Sequence, residues 1–224
     1  MMAVVPTFGH LAAAAQDLED SLGNIRLIAD LLLRENEALP EPMRREYLGA
    51  LAEKASRLQG VAEDMTALAK IHARQVTLER CPLRASEIVH QSIEASGTEA
   101  ARRQITLSST VAPQEPLIAG DYWKLSRAFQ GVLESLIRGT PPDGSVAVHV
   151  ERDADGVKVA FRRSGTLAAL NPAESFFQDA HPSSAAALGI SLSEQLVVLH
   201  GGTLEALECE AGHTVTIRLP AFDS

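Results

Sequence analysis

The stretch Leu199-His200-Gly201-Gly202-Thr203 closes an apolar helical segment, and Gly212-His213-Thr214-Val215-Thr216-Ile217-Arg218-Leu219-Pro220 follows with the alternation of a β-strand. A glycine directly after the last helical turn predicts a C-cap with that glycine in the left-handed conformation. His200 is therefore predicted to be a histidine at a helix end and not a catalytic base. The segments 203–209 and 214–219 predict a hairpin around Glu210-Ala211-Gly212. The chain is thus expected to end in a helix that leads into two paired strands.

The preceding 120 or so residues predict further helices and a second hairpin. Segments 146–151 and 157–161 alternate around the turn Asp153-Ala154-Asp155-Gly156, a hairpin signature. Helices are predicted at 84–95, 122–138 and 185–199, and β-leaning segments at 104–109 and 116–119. This order indicates helices packed on one face of a mixed sheet, an α+β sandwich.

Two long amphipathic helices are predicted in the first third of the chain, at 8–34 and 43–73, with a break at Leu39-Pro40-Glu41-Pro42. Their apolar residues follow the 4-3 spacing of a bundle seam. The first seam is Leu11, Ala15, Leu18, Leu22, Ile25, Ala29 and Leu32, and the second is Leu48, Leu51, Ala55, Leu58, Ala62, Met65 and Ala69. We expect a helical hairpin that buries these seams in a homodimeric four-helix bundle. The alternative is a monomer whose other domain covers them.

The composition excludes several classes of protein. A net charge of −9 in 224 residues argues against a nucleic-acid binder, which needs a basic face. Cys81 and Cys209 lie far apart with no metal-ligand spacing, so neither a disulfide framework nor a metal site is expected. No apolar run approaches the ~20 residues of a membrane span, and the first residues lack the features of a signal peptide. A cytoplasmic location is the resulting expectation.

The order of a helical hairpin and an α+β sandwich resembles the histidine kinase core. The resemblance implies a dimerisation and histidine-phosphotransfer hairpin at 1–75 and an ATPase domain of the Bergerat type at 76–224. The family's first helix carries a box of the type His-Glu-Leu-Arg-Thr-Pro-Leu, which reads here Gln16-Asp17-Leu18-Glu19-Asp20-Ser21-Leu22. Gln16 stands at the phosphoacceptor position. A glutamine amide lacks the nucleophilic nitrogen of imidazole, so this position is not expected to be phosphorylated.

The nucleotide motifs of the family are also altered in this chain. Gly131 and Ser135 stand where the resemblance implies two metal-binding asparagines, and a lone hydroxyl is a poor ligand for Mg2+. The adenine-binding motif Asp-x-Gly-x-Gly reads Arg163-Ser164-Gly165-Thr166-Leu167, and arginine cannot accept a hydrogen bond. The last glycine-rich box reads Ala187-Leu188-Gly189-Ile190. We therefore predict no catalytic residue, no cofactor and no metal.

The resemblance implies a catalytically degenerate signalling protein of a two-component pathway, which acts by docking a response regulator or a partner kinase. The predicted docking face lies on the first helix and comprises Gln16, Asp17, Asp20, Ser21, Asn24 and Ile25. One alternative is a phosphotransferase, which needs an exposed histidine on the bundle, and only His10 and His72 are near. Others are a phosphatase-type modulator, in which Gln16 would orient a water molecule, and a kinase with a drifted ATP site.

Overall fold

The structure is a computed structural model that describes residues 8–35, 39–113, 115–154, 156–164, 184–209 and 212–222. It begins with two long helices, α1 (Phe8–Glu35) and α2 (Glu41–His72). Pro40 is the N-cap of α2, and its carbonyl accepts the first helical hydrogen bond, from the Arg44 amide at 3.0 Å. Proline suits this position because the first amides of a helix have no intrahelical partner. The predicted break between the two helices is confirmed.

The remaining elements are β1 (Cys81–Leu83), α3 (Ala85–Arg102), β2 (Thr106–Val111), β3 (Ile118–Gly120), α4 (Tyr122–Gly139), β4 (Ser145–Asp153), β5 (Gly156–Ser164), α5 (Ser184–Leu199), β6 (Thr203–Cys209) and β7 (Gly212–Pro220). The main sheet has the strand order β2-β4-β5-β7-β6, with β2 parallel to β4 and the other neighbours antiparallel. β1 and β3 form a separate antiparallel pair. The predicted mixed sheet with helices, an α+β fold, is confirmed.

One row of side chains across the sheet illustrates how the core is built. Val148 on β4 pairs with Phe161 on β5, which pairs with Val215 on β7, and all three are buried. Phe161 also contacts Phe129 of α4 edge to face, with ring centroids 5.7 Å apart. α4 contributes a continuous apolar face to this core: Leu125, Ala128, Phe129, Val132, Leu133, Leu136 and Ile137. This packing fixes α4 as the central helix above the sheet.

The end of α5 is closed by a pair of backbone hydrogen bonds. The Gly202 amide donates to the Val197 carbonyl at 3.0 Å and the Gly201 amide to the Val198 carbonyl at 2.9 Å. Gly201 has φ +78°, the left-handed conformation that a side chain disfavours. The C-cap predicted from the sequence is therefore confirmed.

The hairpin packs on the rest of the chain through α1, which contacts α5, and through the last part of α2. Its buried residues are Val61, Asp64, Leu68 and Ile71, which repeat at helical spacing. The predicted seam lies beside this face, and its members Ala62 and Ala69 stay exposed. None of the described side chains of α1, and none in α2 before Val61, is buried. In the single chain, the described residues of the predicted seam are therefore half-buried or exposed, and none of them is fully buried.

No helix in the described ranges combines the length and the apolar character that crossing a lipid bilayer requires.

Candidate functional site

α4 carries the first two motif positions, and its start is anchored by Asp121. The Asp121 carboxylate accepts hydrogen bonds from the Lys124 amide at 3.2 Å and from the Glu79 amide at 3.1 Å, so it caps the helix. Burial acts to raise the pKa of Asp121, but the hydrogen bonds from Lys124 and Glu79 outweigh it and hold the pKa below its usual value. The Asp121 amide in turn donates to Nε2 of His200 at 3.0 Å. The beginning of α4 is thus tied to the end of α5.

His200 is a buried structural residue, as its position at the helix end predicted. Its Nδ1 lies 2.6 Å from the carbonyl oxygen of Leu196, and its Nε2 accepts from Asp121. The ring therefore carries its proton on Nδ1. Burial lowers the pKa of His200 below its usual value, because the charged ring would be desolvated and would lose its acceptor nitrogen.

Gly131 and Gly189, two of the predicted motif positions, are brought together where α4 packs on α5. A Cβ atom placed on Gly131 would lie 2.6 Å from Oγ of Ser193 and 3.1 Å from the carbonyl oxygen of Gly189. The Ser193 hydroxyl is held there by a 2.8 Å hydrogen bond to the same carbonyl. A side chain at the position where the resemblance implies a metal-binding amide would therefore have to displace the Ser193 hydroxyl and would crowd the Gly189 backbone.

Ser135 lies one helical turn after Gly131 on α4 and is half-buried. Gly131 has no side chain, so the Ser135 hydroxyl is the one side-chain oxygen at these two motif positions. Mg2+ needs near-octahedral coordination by several oxygen atoms. In the described part of the chain, no group of three or more His, Cys, Asp or Glu residues is arranged to hold a metal ion.

Arg163, at the end of β5, stands where the resemblance implies the adenine-binding carboxylate. Its side chain is buried, and Nη1 donates a hydrogen bond to the carbonyl oxygen of Gly139 at the end of α4. A cation is favourable at this end of a helix because it faces the negative end of the helix dipole. Arg163 therefore has a structural role, and it presents donors where adenine would need an acceptor.

The described residues do not fit a magnesium-bound nucleotide. One metal-ligand position is a glycine and offers no side chain, the other provides one hydroxyl, and the adenine position holds a cation. Gly165 and Leu167 lie outside the described residues. Ala187 lies in α5, but its side chain is outside the described residues as well.

The predicted docking face lies entirely within α1. Ser21 and Ile25 are half-buried and Asn24 is exposed. The side chains of Gln16, Asp17 and Asp20 are outside the described residues.

An ion pair between α2 and α4 was missed by the sequence analysis. Asp64 on α2 accepts from Nε of Arg127 on α4 at 3.1 Å and from its Nη2 as well. Burial raises the pKa of Asp64, although Arg127 acts in the opposite direction. The sequence does contain an indication of this pair. Asp64 shares the helical spacing of the apolar residues Val61, Leu68 and Ile71, and a carboxylate on an apolar face needs a partner.

A cavity of about 590 Å3 lies beside this ion pair, between α2, α3 and α4. It is lined by arginine and carboxylate side chains from all three helices, among them Arg57, Glu99, Arg103, Glu134 and Arg138. Gly131 and Gly189 also line it, whereas Ser135 and Arg163 do not.

Comparisons with known proteins relate both parts of the chain to one family, although no protein-family model matches it. The sensor protein DivL of Caulobacter vibrioides is 28% identical over 180 residues, which are 79% of this chain and 23% of DivL. The histidine kinase AdeS of Acinetobacter baumannii has the same fold, with a TM-score of 0.72 at 12% identity over 92% of this chain and 98% of that one. This chain has the fold of a histidine kinase core.

The histidine kinase ThkA, in a complex with the response regulator protein TrrA, has the same fold over 95% of this chain and 61% of the ThkA chain, with a TM-score of 0.68 at 16% identity. The chain spans between about a quarter and a half of the length of three curated sensor proteins that it matches, with shares of 23%, 51% and 42%.

Proposed function

We propose that this histidine kinase core is catalytically degenerate and signals by binding, in a two-component pathway. The observation that carries the proposal is Gly131, which offers no metal-binding side chain and packs so closely on α5 that a Cβ there would have to displace the Ser193 hydroxyl. A kinase needs a phosphoacceptor, a metal site and a nucleotide pocket at once. Each requirement is affected at one position, and the three positions lie on three different elements: the phosphoacceptor at Gln16, the metal site at Gly131 and the nucleotide pocket at Arg163.

The partner that we propose is a response regulator or a second histidine kinase, docked on the α1 face of Gln16, Asp17, Asp20, Ser21, Asn24 and Ile25. Support for the first partner class comes from ThkA, whose structure contains a response regulator protein. The face has two aspartates and no basic residue, so a basic or mixed surface on the partner would be steered towards it.

We also propose that the hairpin forms a homodimer. Leu22 and Leu27 on α1 are 56% and 66% exposed in the single chain, and Leu48 on α2 is 52% exposed. Apolar burial contributes about 25 cal/mol per Å2, so a second hairpin that covered these residues would stabilise the pair. Two hairpins would then complete a four-helix bundle. We place the division between hairpin and ATPase-like domain at residues 75 and 76, and the protein in the cytoplasm.

A phosphotransfer assay tests the loss of catalysis. The unmutated protein and Gln16→His are incubated with radiolabelled ATP and Mg2+, with an active histidine kinase as the positive control. Neither should be labelled, because restoring the imidazole leaves the nucleotide positions unchanged. Labelling of the unmutated protein would show that it is phosphorylated from ATP and would contradict the proposal.

A binding assay tests the docking face. The double variant Asp17→Lys, Asp20→Lys should weaken capture of a response regulator or partner kinase and leave the bundle intact, because neither residue lies in the apolar seam. The matched control is Asp30→Lys, Glu46→Lys, which reverses two charges further along the hairpin. Equal capture by both double variants would place docking elsewhere.

A further inference from the structure

A groove of about 570 Å3 lies where α2, α4 and α5 meet. This volume is in the range of small-molecule sites. The lining of the groove is mainly apolar and includes Ala67, Ile71, Val76, Trp123, Leu192 and Leu196. The described lining contains none of the motif positions Gly131, Ser135, Arg163 and Gly189. The groove is therefore separate from the nucleotide motifs.

The groove combines buried apolar residues with an exposed aromatic side chain. Ile71 of α2 is 9% exposed and Leu196 of α5 is 5% exposed, whereas Trp123 of α4 is 74% exposed. The ring of Trp123 meets the ring of Tyr122 edge to face, with centroids 5.3 Å apart, and the Tyr122 hydroxyl donates a hydrogen bond to Gln91. Trp123 thus has an ordered neighbour but keeps most of its surface in water. A ligand beside it would bury apolar area, which is favourable.

The cations of the groove differ in how far they are neutralised. Lys70, Lys124 and Arg127 line it. Lys124 forms an ion pair with Asp121, and Arg127 forms one with Asp64. In the described part of the chain, no carboxylate lies at ion-pair distance from Lys70. Lys70 is therefore the cation of the lining that a ligand can neutralise.

The polar groups of α2 in the groove are already engaged with their own helix. Glu63, the one carboxylate of the described lining, accepts a hydrogen bond from Gln59 at 2.8 Å. The Thr66 hydroxyl donates to the carbonyl oxygen of Ala62 at 2.8 Å. Glu63 lies seven residues before Lys70, about 10 Å along the helix, which is too far for an ion pair. The charge at the Lys70 end of the groove is thus positive.

We propose that the groove binds a free apolar monocarboxylate, with its apolar body against Trp123 and Leu196 and its carboxylate at Lys70. A mostly apolar pocket with few polar groups that fix the orientation of the ligand is typical of small-molecule sites. The ammonium group of Lys70 is a point charge on a flexible stem, which suits a single carboxylate. The proposal does not depend on the proposed function.

The position of the groove gives binding a structural consequence. α2 belongs to the hairpin, whereas α4 and α5 belong to the part of the chain that carries the sheet, so a ligand that contacts all three helices strengthens the junction between them. Of the predicted seam on α2, only Ala62 lines the groove. The ligand and the proposed second hairpin would therefore occupy different sides of α2.

A fluorescence titration of the full chain tests the proposal. Trp123 is the single tryptophan of the chain, so its emission reports on the groove. The probes are sodium decanoate, below its micelle concentration, and decylamine, which has a similar alkyl chain and the opposite charge. Decanoate should shift the emission to shorter wavelength and saturate. Decylamine should bind at least about tenfold more weakly, although the net charge of the chain is −9.

Two variants, each with a matched control, locate the bound decanoate. Lys70→Gln should weaken its binding by about tenfold, the usual effect of losing a charged hydrogen bond, and Lys54→Gln on the same helix but outside the groove should not. Thr66→Phe fills the groove from an exposed position and should weaken binding at least as much. Thr98→Phe, at an exposed position of α3, should leave binding unchanged.

Four results would overturn the proposal. They are no saturable shift in the unmutated protein, decylamine binding as tight as decanoate binding, equal effects of a test variant and its control, and displacement of decanoate by magnesium-ATP. The last result would assign decanoate to the nucleotide motifs and would contradict the proposed function as well. Absence of decanoate binding together with absence of ATP binding would contradict only the groove.

Discussion

Asp64 on α2 and Arg127 on α4 form an ion pair across the junction of the hairpin and the sheet-bearing part of the chain, with Nε 3.1 Å from Oδ1. The Asp64 side chain is 7% exposed and that of Arg127 is 34% exposed. Because the carboxylate is desolvated, its partner matters more than the partner of a surface charge does. The pair therefore contributes to how the two parts of the chain are held together.

The first prediction concerns this pair. Arg127→Leu should lower the free energy of unfolding by about 1–3 kcal/mol, because it leaves Asp64 buried without its cation. Asp64→Leu with Arg127→Leu should cost less than the sum of the two single changes, as urea denaturation can measure. The exposed pair Glu41 and Arg45 is the control, and its removal should cost less than about 1 kcal/mol. Strictly additive effects of the Asp64 and Arg127 changes would show that the pair is not coupled.

The second prediction concerns the pH dependence of stability. The folded-state pKa of His200 lies below its unfolded value of 6.5, so the folded state binds fewer protons in the window between them. The contribution of His200 is therefore fully present above pH 6.5 and is lost as pH falls through the folded pKa. His200→Gln should flatten the change in unfolding free energy between about pH 7.5 and pH 5.5. His90→Gln, at an exposed position of α3, should keep it, and a retained slope in His200→Gln would refute the assignment.

The third prediction concerns Gly131. Gly131→Asn should destabilise the protein by about 1–3 kcal/mol, because its Cβ would collide with Ser193 and Gly189, and it should not create ATP binding. Ser135→Asn, at a half-buried position of the same helix, should be tolerated better. Thermal unfolding and titration with magnesium-ATP measure the two effects. A stable Gly131→Asn protein that binds ATP would mean that α5 moves away readily.

The fourth prediction concerns the dimer. Leu18→Asp or Leu58→Asp places a charge in the seam and should dissociate the bundle, because an unpaired buried carboxylate is costly. Leu207→Asp on β6, at a leucine that is 64% exposed, is the matched control and should leave the mass unchanged. Light scattering at micromolar concentration measures the mass. A monomer mass for the unmutated protein would be the contrary result.

Local signals predicted much of the fold because each depends on nearby residues. The Pro40 break and the Gly201 cap are set by backbone chemistry and were found from the sequence. Helix α3 was predicted to end near residue 95 but continues to Arg102. Ser96, Gly97 and Thr98 are weak helix formers, and the burial of Ser96 and Ala100 against the rest of the chain overrides that preference. Strand β1 was not predicted, because its three residues are ordered by pairing with β3.

Contacts in the site between residues that are far apart in the sequence could not be predicted from the sequence. Altered motif positions could be identified one by one, but the contact of Gly131 with Gly189 and Ser193 depends on how α4 packs on α5. Similarly, Asp64 and Arg127 are 63 positions apart, and nothing local to either residue names the other. The arginines of the cavity come from three helices and form a group only in the folded chain.

The contact at Gly131 also constrains how the chain can change over generations. Any residue larger than glycine at this position meets Ser193 and the Gly189 backbone, so a single substitution there is penalised unless its neighbours change as well. α5 would first have to shift or to change at Ser193, and that step alone brings no gain. Position 131 and the residues of α5 that it contacts are therefore expected to change together, and the present packing of the two helices favours keeping glycine at position 131.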